Sequence, residues 1–167
     1  MLKTYSKFLD VLEKIEKVIL AVTVAVMIVV MVYQVILRYV FSAANSWSEE
    51  LARYLFIYNV MLGSAIAIRR NSHLQVDTLT SLMSPNMKCV STIVATVLGI
   101  AFLVFLTIHS VTLCITGSKT MSFGLPVSMT VPYASMPIGA VLMILVSIEV
   151  IFKKIEEIRA MGKEADA

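Results

Sequence analysis

The chain has 167 residues, about one domain by length. Hydrophobic residues make up 59% and charged residues 15%, against roughly 45–50% and ~25% in soluble domains, which excludes an ordinary water-soluble globule and points to an integral membrane protein. A formal net charge of +3 is too small for a nucleic-acid binder, and two cysteines without a CxxC pair give a thiol-redox enzyme no support.

The N-terminal stretch carries Tyr5, Phe8, Leu12, Ile15 and Ile19 at intervals of three to four residues, an amphipathic helical stripe. No proline or glycine lies between Met1 and Phe41, so this segment either projects from the first span or bends to lie on the membrane surface. A cleaved signal peptide fits poorly. Acidic Asp10, Glu13 and Glu16 precede the apolar run, the run is too long, and Gln34 and Arg38 intrude.

Val18 to Leu37 is free of charge and long enough to cross a ~30 Å hydrocarbon core. The next uncharged run, Tyr54 to Ile68, reaches only about 22 Å and must extend back through Leu51 or Glu50 to span. Two further runs follow, with Pro126, Pro132 and Pro137 crowding the start of the last, where they oppose a regular helix. The expected architecture is an all-α membrane protein, a single domain over residues 1–167. Its four transmembrane helices lie near 18–40, 50–69, 89–116 and 131–152, behind the amphipathic segment.

Four spans put both termini on one side. Eleven of the 14 lysines and arginines then share that side, leaving Arg38, Arg53 and Lys119 on the other. The positive-inside rule predicts cytoplasmic termini.

The segment NSWSEELARYLF, 45–56, gathers Trp47, Glu49, Glu50 and Arg53 directly before the second span. Glu49 and Arg53 are spaced i,i+4, and Glu50 and Arg53 i,i+3. With Arg38 returning to the same interface, one outer-leaflet network anchored by Trp47 is expected. Adjacent carboxylates could also be general acid and base. Against that, neighbouring helical residues diverge by about 100°, no metal-ligand spacing accompanies them, and two arginines can neutralise them.

Farther along, Asn59, Gly63 and Ala67 form a small-residue stripe fit for close helix packing, within this chain or against another. His73 and Asp77, spaced i,i+4 after Arg69 and Arg70, read as an interfacial cap. A metal or haem site would need more ligands, and the other histidine, His109, is placed near the outer end of the third span. No cofactor is expected. Pumps and carriers need ionisable groups at mid-depth, whereas every Asp, Glu, Lys and Arg here falls at an edge or terminus. The pattern describes a brace, neither an enzyme nor a pore.

The motifs VILRYVF (35–41), WSEELARYLF (47–56), MLGSAIAIRRNSHLQVD (61–77) and FGLPVSMTVPYASMPIG (123–139) resemble the small membrane subunit, DctQ-like, of tripartite ATP-independent periplasmic (TRAP) transporters. Arg38, Trp47, Glu49, Glu50, Arg53, Gly63, Arg69, His73, Asp77, Pro126 and Pro137 lie within these motifs. The third span and both termini match in hydropathy alone.

The resemblance implies a multi-pass protein of the bacterial inner membrane, in contact with lipid and paired with a large permease subunit. That partner would hold the substrate and sodium sites, and a periplasmic binding protein would deliver a small organic acid such as a C4-dicarboxylate or sialic acid. LFIYNVMLG (55–63) leans toward the sialic acid members. Two competing classes stay open: an accessory or assembly subunit of another membrane complex, and a self-sufficient oligomeric channel or carrier.

Overall fold

The computed structural model describes residues 2–43, 45–70 and 85–165. These form α1 (Leu2–Val40), α2 (Ser46–Arg69), α3 (Pro85–Gly117), the short α4 (Thr130–Tyr133) and α5 (Ser135–Ala165). Four helical stretches are long and apolar enough to cross a membrane: Tyr5–Val40, Ser46–Arg69, Val90–Gly117 and Thr130–Arg159. The all-α membrane class read from the sequence is the class observed.

α1 is one helix of 39 residues, about 58 Å long and nearly twice the hydrocarbon thickness. The amphipathic segment is therefore the direct continuation of the first span, not a separate surface helix. Only part of its apolar stripe is covered: Tyr5 and Leu12 pack beside Leu9, which is buried with Val146 and Val150, and the Tyr5 hydroxyl donates to the Leu145 carbonyl at 2.8 Å, whereas Phe8, Ile15 and Ile19 are exposed.

α1 closes with a left-handed residue, Ser42 (φ 51°), and the Ala43 N–H reaches back to the Leu37 carbonyl at 3.1 Å. The left-handed residue turns the chain out of the helix there. The Asn45 side chain then accepts from the Trp47 N–H at 3.3 Å and starts α2.

α5 packs against both α2 and α3, and α1 lies against α2. The core runs through Ala65, Ile68, Leu103, Ala140, Met143 and Val146. Where α2 and α5 cross, Gly139 rests on Met61 so closely that a Cβ would stand 2.6 Å from the Met61 Cβ. The close-approach glycine is thus Gly139. Gly63, expected to offer that face, has nothing within 4 Å of where its Cβ would be.

The prolines sit where a missing N–H costs least. Pro132 lies in the four-residue α4 and Pro137 in the first turn of α5, with Ala134 in helical conformation between the two helices. Pro126 lies in the exposed connection before them, whose two sides meet at the bridge between Met121 and Ser128.

Candidate functional site

Three helices bring charge to one point at the Arg69 end of the bundle. Arg69 is the last residue of α2, and its side chain is only 8% exposed. Its Nε donates to Glu149 Oε2 of α5 at 2.9 Å, Nη1 to Glu13 Oε2 of α1 at 2.6 Å, and Nη2 to Asp10 Oδ1 at 2.6 Å. Nη2 also reaches the Ser6 carbonyl at 3.2 Å.

The carboxylates have second cations. Lys153 meets Glu149 Oε1 at 2.8 Å, Arg70 meets Glu13 Oε1 at 3.3 Å, and Lys17 pairs with Glu13 as well. A planar guanidinium spreads five donors over three nitrogens and here meets three carboxylates and a carbonyl, more acceptors than the three donors on a lysine's single nitrogen could serve. One turn beyond, Glu16 is buried, and its Oε1 has no hydrogen-bond partner among the described residues.

At the opposite end the charges part company. Glu49 and Arg53 pair at 3.2 Å, both about two-thirds exposed. Glu50 instead accepts from the Tyr54 hydroxyl and from the Gly124 backbone N–H, each at 2.6 Å. The Tyr54 hydroxyl also lies 3.0 Å from Ser122 Oγ. The expected single network of Arg38, Glu49, Glu50 and Arg53 is therefore corrected to one exposed pair and one loop clamp.

The reason is angular. Glu50 stands about 100° round the helix from Glu49 and faces the 118–129 connection, whose Gly124 approaches the Trp47 Cα to a distance no side chain would permit. Arg38 makes no ion pair among the described residues. It stays exposed in the last turn of α1, where a cation suits the helix dipole. Trp47 packs on Tyr33 of α1, ring centroids 6.0 Å apart, and so joins the two helices at this end.

Between the ends, Thr23 Oγ of α1 stands 2.5 Å from Asn59 Oδ1 of α2. Asn59 of the predicted stripe thus meets another helix of this chain. His73 and Asp77 lie outside the described residues. Sequence reasoning singled out Arg69 but missed its partners Asp10, Glu13 and Glu149. The signal was available: Glu13 recurs with Leu9, Leu12 and Glu16 on the face of α1 that is buried. Among the described residues, no three His, Cys, Asp or Glu side chains gather as a metal ion would require.

The model of one protein family, "Tripartite ATP-independent periplasmic transporters, DctQ component", matches residues 27–157. The chain is 41% identical over 59 residues to the sialic acid TRAP transporter permease protein SiaT of Haemophilus influenzae, covering 35% of this chain and 10% of that one. It is 38% identical over 66 residues to the sialic acid TRAP transporter small permease protein SiaQ of Vibrio cholerae, covering 40% and 38%. Similarity to the C4-dicarboxylate TRAP transporter small permease protein DctQ of Vibrio cholerae is 26% over 98 residues, covering 59% and 42%. The match thus spans well under half the length of each of these relatives.

Proposed function

This chain belongs to the DctQ component family of the tripartite ATP-independent periplasmic transporters, and on that premise we propose that it is the small permease subunit of such a transporter, a static brace in the inner membrane for a larger, sodium-coupled permease subunit. A periplasmic binding protein supplies that partner with a small organic acid. The observation that carries the reading is the Arg69 cluster. It ties α1, α2 and α5 together through one nearly buried guanidinium, and it spends the charged groups on holding helices where a carrier would keep them free for an ion.

A second support comes from SiaT, in which a stretch similar to this chain occupies a tenth of one long protein named a permease. One continuous chain would keep brace and permease together. The sialic acid relatives match at 38–41% identity and the C4-dicarboxylate relative at 26%, which favours sialic acid or a similar carboxylate as the cargo of the whole assembly. The charge asymmetry favours cytoplasmic termini, with the Arg69 cluster at the inner edge and Trp47 at the outer.

Liposomes with an inward sodium gradient and a substrate-loaded binding protein test the role. Uptake should need both membrane subunits. Uptake by this chain alone, or undiminished uptake by the large subunit alone, would overturn the reading. A membrane-impermeant thiol reagent applied from outside should label a cysteine placed at Ser46 and spare one at Ser72; the reverse pattern sinks the orientation.

A further inference from the structure

α3 carries a polar stripe on the wrong side for its own bundle. Its inward face presents Leu103, Ser110 and Gly117, all buried. His109, Thr112 and Thr116 share a different face, at spacings of three and four residues, and all three are exposed.

Depth makes this unusual. Trp47 and Arg69 mark the ends of α2, about 33 Å apart. Gly139 of α5 rests on Met61 of α2, and nine residues earlier the Thr130 hydroxyl donates to the Cys114 carbonyl of α3 at 2.9 Å. Cys114 therefore stands about 13 Å nearer the Trp47 end than Met61 does. His109, five residues back along α3, returns about 7 Å of that. By helical rise it lies about midway between the two ends of α2, about 12 Å along α3 from Gly117.

The ring's bonding defines what it presents. Nδ1 lies 2.9 Å from the Phe105 carbonyl, which can only accept, so Nδ1 is the donor of that bond, and in the tautomer the bond selects Nε2 is an acceptor. Phe105 covers one face of the imidazole, centroids 4.0 Å apart, and leaves that edge open. Thr112 and Thr116 have turned their hydroxyl protons inward to the carbonyls of Ile108 and Thr112, at 3.3 and 3.1 Å. The stripe thus offers acceptors and no donor.

Acyl chains cannot satisfy it, and an imidazole is too short to snorkel from mid-depth to the headgroups. A second copy packed symmetrically would oppose acceptor to acceptor.

We infer that the His109–Thr112–Thr116 face of α3 is a contact surface for the large permease subunit, and that a membrane helix of that subunit donates a hydrogen bond to His109 Nε2. This rests on the reading of the chain as the small permease subunit. A donor on a facing helix gives the mid-membrane nitrogen the partner that neither lipid nor the described residues of this chain supply.

The experiment co-expresses this chain with the large permease subunit and measures the amount of large subunit retained on the tagged small one in mild detergent at limiting concentration. His109→Leu removes the acceptor and should lower retention about three- to tenfold, the range for one interhelical hydrogen bond in a membrane. His109→Gln places an amide oxygen near the Nε2 position and should restore most of it. Cysteines at Thr112 and, as control, at Val111 on another exposed face of α3 report proximity; the first should cross-link to the large subunit and the second should not.

Equal retention by His109→Leu overturns the inference, as does a Thr112 cross-link between two copies of this chain. A His109→Gln no better than His109→Leu overturns the hydrogen bond. If the unaltered chain retains no large subunit, the functional reading itself fails, which separates that failure from failure of the α3 face.

Discussion

At the Arg69 end, a guanidinium with 8% of its side chain exposed meets three carboxylates carried by two other helices. At the Trp47 end, Arg53 keeps 66% exposed and meets one carboxylate on its own helix. Both ends draw on the same residue types. What separates them is what lies opposite: at one end helices 1 and 5 run past the end of α2 and enclose its arginine, while at the other the chain turns back through short connections and leaves its charges in the open. A charged group organises a membrane bundle only where other helices cover it.

The sharpest way to break this contrast is Arg69→Met. Removing the cation takes the shared guanidinium from Glu149, whose side chain is 1% exposed, and from Glu13 at 15%, leaving each to its second cation and untying the three helices. Breaking a buried ion pair from one side costs about 3–5 kcal/mol. A thermal melt of the purified chain in detergent should show a large loss. Arg69→Lys keeps the charge but gathers its three donors on one nitrogen, losing the fork's spread across the helices, and its melt should fall between Arg69→Met and the unaltered protein. Equal melts for all three would mean that the cluster holds nothing together.

Packing at mid-depth gives the next effect. Gly139→Leu drives a side chain into the Met61 backbone and should cost about 1–3 kcal/mol or more. Gly63→Leu meets open space, so the isolated chain should melt within about 0.5 kcal/mol of the unaltered one. Any defect it causes should surface only in the assembled transporter, as lost retention of the partner. The reverse ranking would reinstate Gly63 as the internal packing glycine.

Much of this architecture was legible in the sequence. Hydropathy and charge punctuation gave the helical class, since apolar length maps directly onto a fixed bilayer thickness. Pairings between helices were less so. Arg69 stood out by motif, yet Glu149 lies 80 residues away and Asp10 and Glu13 nearly 60, and no local spacing announces such partners. Small-residue spacing pointed to Gly63, because a stripe in one helix says where close approach is possible and not which helix arrives. Glu50 was misassigned for a related reason: i,i+3 proximity to Arg53 competed with a loop amide 74 residues on, and the amide won.

The Glu50 clamp yields a smaller and more local effect. Glu50→Ala releases the Gly124 N–H and the Tyr54 hydroxyl together. The bridge between Met121 and Ser128 does not depend on it, nor does the Met129 N–H to Thr120 carbonyl bond of 2.9 Å. The loop should loosen without unfolding. Amide hydrogen exchange should accelerate at Gly124 and its neighbours while the α2–α5 core stays protected; unchanged exchange at Gly124 would show that the clamp is dispensable.

The Glu49–Arg53 pair should give the smallest effect. Both partners are about two-thirds exposed, and they belong to the same helix. Water or headgroups solvate each charge when the other is removed, so no buried charge is stranded, and exposed pairs of this kind contribute about 0–1 kcal/mol. Glu49→Ala also removes an acid from the first turn of α2, where it opposes the helix dipole, a further few tenths of a kcal/mol at most under screening. Arg53→Ala lacks that second loss. The two variants should therefore melt close to the unaltered chain, with Glu49→Ala the lower by a small margin that shrinks in added salt. A salt-insensitive drop as large as that of Arg69→Met would mean the pair is covered after all, and the contrast between the two ends would collapse.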